Sequence, residues 1–176
     1  MKVKIVSGVP QQKKGGFHDT ESEKTFDSAT IASQKFEILK QRFLSINRWK
    51  EYCGDKLADF KLHDAYGNFS EKMPQIGDFI RINIPGPGDT EAKGYDWVQI
   101  SSMFSEHEER FSKIIITCRP SKASGKKKNW HIAHFYAARA SSTFIVSKEE
   151  NRIKAGVYGR NETPNFNANF LDKIRN

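Results

Sequence analysis

From Arg110 to Lys148 the chain runs for 39 residues with nine basic side chains and no acidic one. Outside that segment 20 basic and 21 acidic side chains nearly cancel, so the whole positive excess of a chain with formal charge +8 sits in one stretch. A cationic surface of this kind gathers phosphates and other anions and speeds their encounter. A guanidinium adds geometry, because its planar fork grips a carboxylate or phosphate through two parallel bonds. Arg119, Lys126, Lys127, Lys128 and Arg139 are the candidate anion-binding residues. Phe111, Trp130, Phe135 and Tyr136 are interleaved with them, and cations mixed with rings are what single-stranded nucleic-acid grooves use. The competing reading is a solvated Lys-rich loop over residues 121–129, which serves solubility and edge protection. No signature of an RNA-binding sheet, zinc finger or helix-turn-helix accompanies the charge, so the nucleic-acid case rests on electrostatics.

A second constellation offers a ligand pocket. Asp96 stands between Tyr95 and Trp97, a carboxylate beside aromatic walls, where desolvation raises a pKa; turn formation is the more ordinary use of such an Asp. Arg160 and Glu162 follow the last expected strand, and side chains at a strand end converge on a ligand from a rigid support. Their alternative use is to tie the C-terminal tail to the sheet. Together Tyr95, Asp96, Trp97, Arg160 and Glu162 form the candidate pocket of a small-molecule-binding protein or enzyme. The loop at residues 85–97, beginning Pro-Gly-Pro-Gly, contains neither GxGxxG nor GxxxxGK[ST], so no nucleotide fingerprint or cofactor is indicated.

Metal and nucleophile chemistry find little footing. His131 and His134 share a face on a helix and oppose each other on a strand, and no third ligand lies near them. Cys53 and Cys118 have no CxxC spacing, which excludes a thiolate zinc site and leaves two reduced, buried thiols as the expectation. Ser101, Ser102, Ser141 and Ser142 lie in no GxSxG elbow, so no hydrolase follows. Whether the chain is an enzyme is therefore open, and a scaffold or interaction module is the third reading.

The elements that must position these groups are read from 176 residues, 37% of them apolar, with 13 Phe, 5 Tyr and 3 Trp. That is enough for one core plus a surplus. No run approaches a membrane span, and the apolar stretch after Lys2 and Lys4 is too short and interrupted for a secretory signal. The expectation is a cytoplasmic protein without membrane contact.

Residues 1–30 read as an arm or linker, polar and without periodicity after a possible short strand at the start, and residues 31–176 as a single α+β domain. Phe36, Leu39, Phe43, Ile46 and Trp49 recur at helical spacing and predict an amphipathic helix over residues 31–52, with Ser28 or Thr30 as cap and Gly54 as stop. Beyond it the period drops to two. Strands are expected at residues 57–64, 78–84, 95–101 and 113–119, followed by a hairpin over 141–159 that turns at 148–151. Residues 130–139 read as a strand and 166–174 as a short helix. The whole predicts one long amphipathic helix packed on a strongly curved or barrel-like antiparallel sheet. A helix-grip fold, which needs a long C-terminal helix, is the alternative.

Overall fold

The computed structural model describes residues 2–54, 58–84, 94–123 and 132–165. In chain order the elements are β1 (Gly16–Thr25), α1 (Ala29–Leu44), a single 3-10 turn (Ile46–Arg48), α2 (Trp49–Cys53), β2 (Asp59–His63), β3 (Phe79–Asn83), β4 (Asp96–His107), β5 (Phe111–Pro120), β6 (Ser141–Glu149) and β7 (Arg152–Glu162). The strands form one antiparallel sheet in the order β1-β7-β6-β5-β4-β3-β2. From β2 to β7 each strand pairs with the next, as short connections allow. Only β1 is out of sequence, lying at the far edge beside β7. The chain must then travel from one edge of the sheet to the other before starting β2, and the helical segment makes that crossing over one face.

This corrects the expected fold in two respects. The sheet has two distinct edges, β1 and β2, and is not closed into a barrel. The single amphipathic helix over residues 31–52 does not exist. Ser28 caps α1 by accepting from the Ile31 N–H at 3.2 Å, but the helix stops at Ser45, whose backbone is non-helical and whose N–H and Oγ both bond back to Gln41 O. α1 buries only Ala32 and Phe36, while Ile31 and Ile38 stay exposed. The break turns the chain over the end of the sheet. Ile46 drops into the core, Asn47 bonds the Leu62 N–H and Ser70 O, and the Trp49 indole N–H returns to Phe43 O. The period-3.6 stripe thus follows a bent path around the sheet instead of one rod. The helix-grip alternative falls with the long helix, and residues 166–176, on which its C-terminal helix and the expected tail helix depend, lie outside the described residues.

Two layers sandwich the sheet. On one face Phe36 meets Ile114, Val146 and Ile153, and beside them Ile46, Leu62, Ile80, Ile100 and Ile116 form the larger cluster. On the other face the N-terminal residues Val6 and Val9 cover Ile115, Ile145 and Tyr158. Alternation along β5 and β6 serves both layers, since neighbouring residues point to opposite faces. The expected hairpin forms as β6 and β7, closing at Glu149 and Arg152. Two expectations change. Residues 16–25, read as arm, form the edge strand β1. Residues 132–139 form no named strand, only an isolated bridge between Tyr136 and Pro164, and residues 130–131 lie outside the described residues.

Candidate anion-binding concavity

On the face covered by the N-terminal residues, Arg119 at the end of β5 and Arg139 just before β6 open onto one concavity of about 930 Å³. Lys13 and Lys14 line its other side, with Asn161, Thr163 and Pro164 beyond the end of β7. No carboxylate lines it among the described residues. Arg119 Nη1 lies 3.5 Å from Arg139 O. The two arginines come together because β5 and β6 are neighbours and antiparallel, so the end of one adjoins the start of the other.

The lysines are delivered by a different device. Asn161 has φ +56°, a left-handed conformation that Asn tolerates. Its Oδ1 accepts from the backbone N–H groups of Lys13 (2.7 Å) and Lys14 (3.2 Å), its own N–H donates to Gln12 Oε1, and its Nδ2 donates to Gln11 O. One residue, through its side chain and its own N–H, therefore clamps four successive residues at the rim. Gly15, at φ +83°, completes the turn into β1; a Cβ there would lie 2.7 Å from Glu162 O, so only glycine fits. Lys13, Lys14 and Asn161 fall outside the acid-free segment; the lysines are signalled in the sequence by a Lys-Lys pair before Gly-Gly, and Asn161 by its place between Arg160 and Glu162 at a strand end.

Of the candidate anion-binding residues, Arg119 and Arg139 converge, and Lys126, Lys127 and Lys128 lie outside the described residues. Neither arginine has an ion-pair partner among the described residues. Arg110, by contrast, has Glu150 at 3.7 Å, and Lys113 donates to Ser7 O.

The second constellation is divided. Trp97 packs with Ala123, Ala133, Phe79 and Tyr95, with the His63 ring 5.0 Å away, while Arg81 lies 4.4 Å over Tyr95 and Asp96 is buried. Arg160 and Glu162 are three strands away on β7, roughly 14 Å at ordinary strand spacing. Arg160 is 1% exposed and fully engaged: Nη1 meets Asp19 Oδ1 at 2.6 Å and also donates to Gly159 O and His18 O, and Nη2 donates to Lys4 O. Glu162 takes His18 Nδ1 at 2.8 Å. Among the described residues these groups tie the N-terminal segment to the sheet.

Around that anchor the protonation chemistry is strongly biased. Burial alone would raise the Asp19 carboxyl, but hydrogen bonds from the Lys4 N–H and Arg160 hold it below its ordinary value. Glu21 accepts from Lys4 Nζ, the Tyr158 hydroxyl and Lys154, and is pushed down to about 2. The hydrogen bond to Glu162 raises His18. Depressed carboxyls stabilise the fold above their unfolded pKa and lose that contribution as pH falls through the folded one. Thermal denaturation should accordingly show a gap between the native chain and Glu21→Gln that is constant above about pH 5 and closes towards pH 2. A gap independent of pH would refute this assignment.

The remaining candidates are plain. His134 Nδ1 accepts from the Tyr136 N–H and its ring stacks on Phe135, while His131 lies outside the described residues. Cys118 is buried, which pushes its thiol up to about 12, whereas Cys53 is exposed rather than buried as expected. Among the described residues no three His, Cys, Asp or Glu side chains are grouped to hold a metal, and no helix is long and apolar enough to cross a membrane.

No family model, no curated protein and no solved structure matches this chain. The functional reading therefore rests on the geometry alone.

Proposed function

We propose that the protein is a binding domain for a phosphorylated small molecule held in the concavity between Arg119, Arg139, Lys13 and Lys14. One observation carries this: four cations from three separate stretches of chain line one hollow, and no carboxylate lines it among the described residues. Four like charges repel each other, so gathering them without acids costs stability that an anion repays on binding. The volume lies at the upper end of what discrete ligands occupy. A single-stranded nucleic acid, the other anion compatible with the basic segment, would spread over a longer groove with bases stacked on exposed rings. Here His134, Phe135 and Tyr136 stack on one another instead.

Titration of a labelled nucleoside triphosphate and of a labelled single strand, each at about 50 and about 200 mM salt, tests the reading. The triphosphate should bind at the lower salt and weaken at the higher. Absence of triphosphate binding at the lower salt overturns the proposal. A strand that binds more tightly and displaces the triphosphate replaces it with a nucleic-acid function.

A further inference from the structure

The opposite face of the sheet holds a second cavity, of about 550 Å³, between the helical crossing and strands β1, β6 and β7. Leu39, Phe43, Trp49, Phe60, Phe144 and Val157 are among the apolar side chains that line it. Phe144 and Val157 lie on β6 and β7, inside the sheet and beneath the helical layer, where a filled core would bury them, yet both are only half-buried. The bend at Ser45 explains this. α1 covers β6 and β7 at Val146 and Ile153, and after the break α2 lays Trp49 beside Phe144, with the hollow between them. A hollow of this volume falls within the range that discrete ligands occupy, and voids larger than a water molecule are few in native cores.

Its charged lining residues are Arg42 and Glu21, and only the carboxylate is already paired among the described residues. Arg42 lines the cavity in the last turn of α1, with its guanidinium 5.3 Å over the Tyr52 ring and no ion-pair partner among the described residues. Arg48, on the same ring, is neutralised by Glu51 at 2.9 Å. Glu21 also borders the hollow, but its carboxylate is held by Lys4, Lys154 and Tyr158. An apolar wall with one unpaired, ring-supported guanidinium at the rim is complementary to an amphiphile with one anionic head. We infer that this cavity binds an aliphatic monocarboxylate, its chain against Phe43, Phe144 and Val157 and its head group at Arg42. The site is separate from the basic concavity and independent of the function proposed for it.

Calorimetric titration of the full chain with octanoate, decanoate and dodecanoate, each below its micelle concentration, and with dodecanol tests the inference. Burial of each added methylene should tighten binding several-fold, so dodecanoate should bind at least tenfold more tightly than octanoate. Arg42→Gln should weaken dodecanoate about tenfold and leave dodecanol unchanged. Ala155→Trp, which fills the hollow from β7, should abolish both; because it puts bulk beneath the helices, its fold is checked by circular dichroism. Arg42→Gln, on an exposed helical turn, tests the inference even if Ala155→Trp does not fold. Absence of dodecanoate binding, indifference of the acid to Arg42→Gln, or loss of binding on changing Arg119 and Arg139 instead would each overturn the assignment.

Discussion

Replacing Arg160 with Met is expected to destabilise the fold by about 3–5 kcal/mol, the usual consequence of removing one partner from a buried ion pair. Asp19 would be left with its side chain 3% exposed and without its ion-pair partner, and Lys4 O, His18 O and Gly159 O would lose a shared donor. In a chain of this length each kcal/mol moves the midpoint by about 2–4 °C, so the thermal transition should fall by roughly 10 °C. The arm carrying Val6 and Val9 should detach first at its start, because Arg160 Nη2 ties it to β7 at Lys4 O. Limited proteolysis before residue 10 reports that event separately from global unfolding. The double change Asp19→Leu with Arg160→Met removes both charges and should recover much of the loss. A single variant that melts within about 2 °C of the native chain would show that the pair is not an anchor.

The second large effect concerns the basic concavity. Reversing both arginines, Arg119→Glu with Arg139→Glu, should weaken the labelled triphosphate by at least 100-fold. A hydrogen bond to a charged group is worth about 1.5–3 kcal/mol, two are lost, and two repulsive charges take their place. Both side chains are exposed and make no ion pair among the described residues, so the thermal midpoint should hardly move. Retained affinity in the doubly reversed chain would remove the concavity as the site. Asn161→Ala offers a graded control: it releases the backbone of Lys13 and Lys14, and its loss of affinity should be smaller and should reflect positioning.

How much of this was legible beforehand differs by element. The strands now called β3 and β5 and the β6–β7 hairpin were visible because their β-branched apolar residues recur with period two between turn signals, although β5 and β6 bury residues on both faces. β1 was not, since His18, Asp19, Thr20, Glu21 and Ser22 carry no apolar alternation. Its place is fixed by ion pairs to β7, with Asp19 and Glu21 meeting cations and a hydroxyl far along the chain. The polar character that made it look like a linker is what an edge strand ordinarily displays. The helical stripe from Phe36 to Trp49 was real as a set of contacts, but Ser45 bends it, and local periodicity does not register a one-residue break whose partners are Gln41 O and the sheet beyond.

Composition and order of residues determined the charge segregation, the absence of nucleotide and thiolate-metal motifs, and most of the strand pattern, because these depend on residue type and near-neighbour spacing. Tertiary structure alone decided that Arg119 and Arg139 share a hollow with Lys13 and Lys14 while Arg160 is consumed by Asp19. Arg160 and Arg119 are the same residue type at comparable strand ends. What separates a buried structural cation from one open to a ligand is whether a carboxylate more than a hundred residues away folds back upon it, and that is set by strand order, which no local pattern encodes.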